Sequence, residues 1–288
     1  ITGGFPLAKQ INANLAEACA QAGVGLGVGS QRPAIENGDD GTYSVVKDFD
    51  VPLVIGNVGA PQLVRQRNHR AFTLEEVLKA QEIVGADIMA IHLNFLQEVV
   101  QPGGDVNASG CLEAIRALAG QGPCMVKETG AGISRETALM LKGTGIRGID
   151  VSGVGGTSFA AVEMHRAERK DDRVAMALGR TFFDWGIPAP AAIIEADVGL
   201  ELIASGGIDD GLRIAKGLAL GADAAGCARA VLADAMESSA AVLGKIERMK
   251  AELKAAMFLT GCSSVRELRE RRVIVSGRTA DWLTASEE

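Results

Sequence analysis

Residues 124–152 read Cys124-Met125-Val126-Lys127-Glu128-Thr129, then, after a short link, Arg135-Glu136-Thr137-Ala138-Leu139-Met140-Leu141-Lys142, and then Gly148-Ile149-Asp150-Val151-Ser152. The first and third pieces are apolar runs of strand length, and the second repeats its apolar residues at helical spacing. Strand, helix and strand in that order join two parallel strands through a crossover. The alternation continues in both directions. Runs at 24–28, 52–58 and 87–93 precede it and runs at 202–205 and 223–227 follow, with helical patterns over 74–83 and 212–220. Strands that are apolar throughout suit burial on both faces, under flanking helices.

Seven such runs predict an α/β fold of the TIM (β/α)8 barrel type, with 1–288 as a single domain. The chain opens on Ile1-Thr2-Gly3-Gly4, which resembles the exit of a strand. The first strand is therefore expected upstream of Ile1, either truncated or left out of this sequence. From about 239 to 258 the pattern predicts a long amphipathic helix, followed by a shorter capped one over 264–271, expected as scaffold and oligomer contact.

A length of 288 residues suits one barrel, and 47% hydrophobic with 23% charged residues excludes disorder and a coiled coil. No apolar run is long enough to cross a bilayer and no secretory leader pattern is seen, so a cytoplasmic protein without membrane partners is expected. The five cysteines are scattered, without a CxxC pair, and read as reduced thiols rather than zinc ligands. A net charge of −7 argues against a nucleic-acid partner. An anionic metabolite would have to be handled locally.

In a parallel barrel the chemistry sits where the strands give out. Here those positions are Thr2-Gly3-Gly4, Gly29-Ser30-Gln31-Arg32, Asn57-Val58-Gly59, His92-Leu93-Asn94, Lys127-Glu128, Ser152 to Thr157, Ser205-Gly206-Gly207 and Gly226 to Arg229. The last two end consecutive late runs, the pair of loops that commonly binds phosphate in barrels; the alternative is that their glycines only permit tight turns. Ser152-Gly153-Val154-Gly155-Gly156-Thr157 is a further glycine-rich loop with two hydroxyl donors, and it matches neither a Walker nor a Rossmann pattern. Lys127 ends an apolar strand, where a desolvated ammonium needs a partner: an electron-rich cofactor ring, or an ion pair with Glu128 or Glu98. Alternation puts His92 and Asn94 on one side of their strand. Glu98 could ligate Mg2+ together with substrate phosphates and water, or merely cap a helix.

Taken in order, Thr2-Gly3-Gly4, Gly29-Ser30-Gln31-Arg32, His92-Leu93-Asn94 with Gln97-Glu98 and Gln101-Pro102, Val126-Lys127-Glu128, Gly155-Gly156-Thr157-Ser158, Trp185-Gly186-Ile187-Pro188, Ala204-Ser205-Gly206-Gly207 and Met257-Phe258-Leu259-Thr260-Gly261 resemble the type 2 isopentenyl-diphosphate isomerase family. The resemblance spans nearly the whole chain. It implies an FMN enzyme that interconverts isopentenyl and dimethylallyl diphosphates, requires Mg2+, uses NAD(P)H to reduce the flavin, and assembles as a homo-oligomer, a tetramer or octamer. It further implies that FMN is bound by Ile1, Thr2, Gly3, Ser30, Asn57, Lys127, Ser152, Thr157, Gly207, Asp209, Ala228 and Arg229. Ser30, Gln31, Arg32, His92, Asn94 and Gln97 line the substrate site on the same basis, with Glu98 on the metal and Gln97 as the catalytic residue nearest the reacting carbons.

The chain departs from that family in two places. Arginine is usual where this chain has Asp209, and an acid beside a phosphate is unfavourable unless it points away, so Arg229 is expected to compensate. The family's N-terminal Arg-Lys pair, which helps to bind diphosphate, falls in a region not included here, so FMN binding with weak isomerisation is one expectation. The alternatives are another FMN barrel of the 2-hydroxy-acid oxidase kind and a flavin-binding barrel without activity. An oxidase needs a late histidine base, and His165 lies in a charged segment, 163–173, that reads as a mobile loop.

Overall fold

The computed structural model describes residues 2–286, so the FMN contact expected at Ile1 falls outside the described residues. Seven strands form one parallel sheet in sequential order: β1 (Leu26–Gly27), β2 (Val54–Gly59), β3 (Ile88–Leu93), β4 (Cys124–Glu128), β5 (Gly148–Asp150), β6 (Glu201–Ala204) and β7 (Ala224–Ala225). Every run read as a strand is one, though β1 and β7 are shorter than the apolar runs that contain them. Helices connect each strand to the next, as in a (β/α)8 barrel counted without one of its strands.

The register explains how one chain makes both a core and a site. Val58, Ile91, Val126, Ile149 and Leu202 are paired in turn from β2 to β6, and all five are essentially solvent-free. Burying each contributes about 1.5–3 kcal/mol, and together they anchor the main apolar cluster. One residue further along, Gly59, His92, Lys127 and Asp150 are paired in the same way. Because successive side chains point to opposite faces, this second row lies on the other side of the sheet, and its polar members share a level near the strand ends.

Local chemistry sets the helix limits. Thr73 and Glu76 form a reciprocal capping box at the start of Leu74–Val84, which Gly85 ends in a left-handed conformation. Ser238 caps Ser239–Leu259 and Ser264 caps Val265–Arg269, close to the limits expected from sequence. The segment expected to be a mobile loop is instead mostly helical. Ser158 caps Phe159–Glu168, Asp172 caps Arg173–Thr181, and the two helices pack on each other. Its charges are the outer faces of those helices, and Glu163 is turned inward.

Among the described residues, β1 pairs with β2 alone and β7 with β6 alone. The helix Ala8–Ala22 lies against Arg229–Glu237 and Ser239–Leu259, around Ile11, Ala18, Ala235 and Val242. Among the described residues, no helix is long and apolar enough to cross a membrane.

Candidate functional site

At the ends of β2, β3 and β4, Asn57 donates through Nδ2 to the Val28 carbonyl (3.0 Å), and its Oδ1 lies 2.8 Å from His92 Nδ1. An amide oxygen only accepts, so the pairing assigns the imidazole proton to Nδ1. Burial, with the Lys127 charge next, pushes the His92 pKa down to about 3, and the ring is neutral at pH 7. Lys127 Nζ donates to the Glu128 carbonyl at 3.0 Å and forms no ion pair with Glu128 or Glu98. It therefore has no ion-pair partner among the described residues. Burial pushes the Glu128 carboxyl up to about 7, against three backbone amides, of Thr129, Gly130 and Ala131, that hold the anion at 2.5–2.6 Å.

After β3 the chain turns into the helix Phe95–Val100, with Asn94 at its N-cap position. Asn94 Nδ2 donates to Glu98 Oε1 (2.9 Å), and the Asp105 amide donates to Glu98 Oε2 (2.8 Å). Glu98 is 4% exposed and meets no cation among the described residues, while Asn94 Oδ1 is buried without a hydrogen-bond partner. A buried carboxylate without a counter-ion, beside an orphaned oxygen, is the arrangement a cation would relieve. Among the described residues, no three His, Cys, Asp or Glu side chains converge. Any metal here would depend on oxygens from elsewhere.

Arg32 stands between two carboxylates. Its Nε lies 3.0 Å from both Glu36 oxygens, and its Nη1 donates to Asp105 Oδ2 at 2.9 Å. Asp105 also accepts from Gln62 (3.3 Å) and contacts His69 Nδ1 (2.9 Å). Burial would raise its pKa, but the His69 and Gln62 hydrogen bonds and the Arg32 charge outweigh that and hold it below the usual carboxylate range. Ser30 lies at the same turn, its carbonyl accepting from the fully buried Tyr43 hydroxyl. Thr2 Oγ1 accepts from the Gly29 amide, and Gly3 lies against the Tyr43 ring, which brings the N-terminal segment to the end of β1. Gln31 is different: fully buried, it donates to the Ala80 carbonyl (2.6 Å) and accepts from the Asn57 amide (3.0 Å), inside the barrel wall.

The glycine-rich loops after β5 and β6 touch backbone to backbone. Gly206 has φ 97°, and a Cβ there would lie 2.1 Å from the Gly153 oxygen; at Gly207, with φ 85°, it would lie 2.3 Å from the Gly155 oxygen. Only glycine fits both the space and the dihedral. Ser152, with φ 35°, is a strained non-glycine residue, and its amide donates to Ser205 Oγ (3.1 Å), whose hydroxyl bonds Asp150. Asp209 is directed to Arg213 (2.5 Å), which also donates to the Gly207 carbonyl (2.7 Å), and Lys245 donates to the Asp209 carbonyl (2.9 Å). The acid is thus answered by Arg213. Arg229, exposed and outside any ion pair among the described residues, opens the helix Arg229–Glu237, and its N-cap Ala228 supplies no side-chain cap. Free amides and a positive dipole end remain there.

An open cleft is lined by Gln97, Glu128, Gly155, Gly156, Thr157 and Trp185, among others. Gln97 and Thr157 meet in it; Ser30, Arg32, Asn94 and Glu98 are not in its lining. The sequence reading missed Glu163. It is 2% exposed, and its Oε1 accepts both from Gln97 Nε2 (2.8 Å) and from Arg166 Nη1 (2.8 Å). Ala160, Glu163 and Ala167 are the buried face of their helix, a helical spacing that was present in the sequence but hidden among charged neighbours.

A family model described as FMN-dependent dehydrogenase matches residues 57–275. The chain is 47% identical to the isopentenyl-diphosphate delta-isomerase of Methanosarcina mazei, over 98% of this chain and 77% of that protein. It is 43% identical to the enzyme of the same name from Thermoplasma acidophilum, over 99% of this chain and 82% of that one. Among solved structures, mandelate oxidase with 3,3-difluoro-2-hydroxy-3-phenylpropionic acid superposes with a TM-score of 0.56 at 19% identity, covering 96% of this chain and 78% of that one. That last likeness concerns the fold.

Proposed function

The chain belongs to the isopentenyl-diphosphate delta-isomerase family, in the FMN-dependent type 2 branch, and from that premise we propose that it interconverts isopentenyl and dimethylallyl diphosphates using reduced FMN and Mg2+. The observation that carries the proposal is Glu98, a buried carboxylate without a counter-ion beside the orphaned Asn94 oxygen, next to the Asp105–Arg32 pair. One carboxylate with substrate oxygens and water is a usual Mg2+ environment.

FMN fits the residues present. Gly206 and Gly207 pack straight onto the Gly153 and Gly155 backbones and so fix two glycine-rich loops side by side, Lys127 has no ion-pair partner among the described residues, and Arg229 heads a helix with free amides. Thr2, Gly3, Ser30, Asn57, Lys127, Ser152, Thr157, Gly207, Ala228 and Arg229 would hold the cofactor. Asp209 would take part through its main chain, its carboxylate being spent on Arg213. Reduced FMN, with NAD(P)H as its reductant, supplies the proton donor and acceptor for the allylic carbons. The protein's part is to bind, orient and shield.

Arg32, Ser30 and Asn94 bind the diphosphate in this proposal, with Glu98 holding its Mg2+. His92, neutral and donating to Asn57, is a fixed wall rather than a charge. Gln97 has no useful pKa for proton transfer. Its amino group is committed to Glu163, which leaves Oε1 as an acceptor in the cleft. Gln97→Asn is expected to lower kcat about 10²-fold, the scale of an ångström's misplacement, while KM for the diphosphate holds. Steady-state kinetics at saturating Mg2+ decide this, and an unchanged kcat rejects the role. Glu98→Gln is expected to raise the Mg2+ concentration for half-maximal rate about tenfold. An unaltered magnesium titration counts against ligation.

An oxidase reading loses its base, because His165 is exposed on the outer helix and pairs with Glu168 at 3.0 Å. Exposed Phe258, Leu259 and Ile274 near the C-terminus support assembly into a homo-oligomer, and a cytoplasmic location goes with the proposed metabolism. The direct test is anaerobic incubation of reduced, FMN-loaded protein with isopentenyl diphosphate and Mg2+. Dimethylallyl diphosphate is the expected product; its absence in fully loaded protein overturns the proposal.

A further inference from the structure

Asp105 is almost completely buried, yet no step of the proposed chemistry uses it. Its position is unusual in that its two ends serve two different groups. The side chain accepts from Arg32 Nη1, and the backbone amide donates to Glu98 Oε2. Arg32, meanwhile, is pulled the other way: Glu36, four residues on along an exposed helix, takes Nε with both of its oxygens. Two of the three faces of the guanidinium fork are occupied, and Nη2 meets no acceptor among the described residues.

From this geometry we infer that Asp105 is a positioning residue that holds Arg32 against the outward pull of Glu36 and fixes it beside Glu98, so that the free Nη2 edge and the metal carboxylate face one diphosphate together. The inference rests on the proposed diphosphate role of Arg32 and deepens it. An arginine has many rotamers, and a planar fork held at two edges loses that freedom before the ligand arrives. Gln62 and His69 in turn fix the Asp105 carboxylate, so it cannot swing to follow Arg32. Without Asp105, the bifurcated bond from Nε to Glu36 is what remains, and the Arg32 side chain settles against Glu36.

The competing effect is charge. Removing Asp105 also removes a negative charge near the ligand, which by itself would favour an anion. The site is partly open at Arg32, where solvent weakens that gain, whereas the loss of a fixed fork acts in full. The net expectation is weaker diphosphate binding.

The test uses FMN-loaded full-length protein with isopentenyl diphosphate as the probe. Asp105→Ala, which keeps the backbone amide to Glu98 and removes both side-chain acceptors, is expected to raise KM roughly tenfold while kcat, the magnesium titration and FMN affinity hold. In an Arg32→Ala background the same change is expected to add nothing. A KM rise of equal size in both backgrounds, or one accompanied by shifts in Mg2+ and FMN affinity, would mean general loosening and overturn the inference, as would an unchanged KM. Arg32→Lys covers the case in which the Asp105 variant does not fold. A rotating ammonium lacks the planar fork that two carboxylates can fix at separate edges, so its remaining donor is not set toward the ligand and KM should rise nearly as far as in Arg32→Ala; a wild-type KM with lysine overturns the positioning role. An Arg32→Ala variant with normal KM removes the diphosphate role itself, and the inference falls with it.

Discussion

Gly206→Ala is expected to lose its flavin and to melt well below the wild type. The new Cβ would lie 2.1 Å from the Gly153 oxygen and 2.7 Å from its nitrogen, both backbone atoms that cannot rotate away. The left-handed φ of 97° adds a dihedral penalty for any L side chain. A strained backbone of this kind costs about 1–3 kcal/mol, and overpacking a similar amount, out of a total stability of about 5–15 kcal/mol. At about 2–4 °C per kcal/mol for a chain of this size, Tm should fall on the order of 10 °C. The more telling readout is the ratio of flavin to protein after gel filtration. The loops after β5 and β6 would be prised apart where the proposed phosphate cradle lies. Retention of a full flavin complement would show that the cradle lies elsewhere.

Glu163→Leu is expected to reduce kcat about 10²-fold with FMN content unchanged, because Gln97 loses the partner that sets which way its amide faces. Stability should change little, since an apolar residue of similar size replaces a buried charge whose partner, Arg166, is exposed and can be solvated. Glu163→Gln retains a carbonyl oxygen that can accept from Gln97, so most of the rate should return. Loss of rate in both variants alike would indicate that the carboxylate acts through its charge instead. If neither variant affects kcat, Gln97 needs no orienting partner.

The strands were legible in the sequence because the fold needs apolar runs, and five of those runs align into the row from Val58 to Leu202. The candidate residues were legible for the same reason: they follow the apolar residues by one or two places. Orientation was harder to read. Gln31 lies between Ser30 and Arg32, yet its side chain fills the wall, because the chain turns there into the helix Arg32–Asn37 and the Ala80 carbonyl and Asn57 amide take up the buried amide. Glu163 was obscured because a helix that is charged on its outer face resembles a loop in composition, and only its alternation with Ala160 and Ala167 distinguishes it. Asp209 raised concern as a lone acid beside a phosphate loop. Its partner was four residues away, at helical spacing, in Arg213.

Helix packing around Ile11 and Val242 brings the beginning and the end of the described chain together. The residues proposed to hold FMN come from both parts: Thr2, Ser30 and Asn57 from the early part, Gly207 and Arg229 from the late one. A ligand held by residues so far apart in the chain acts as a clasp, and the folded state then gains free energy in proportion to the logarithm of ligand concentration. At a hundred times its dissociation constant the gain is about 2.7 kcal/mol, comparable to that from several buried methyl groups. Cofactor supply would thereby control how much of this protein persists in a cell, as well as how fast it turns over.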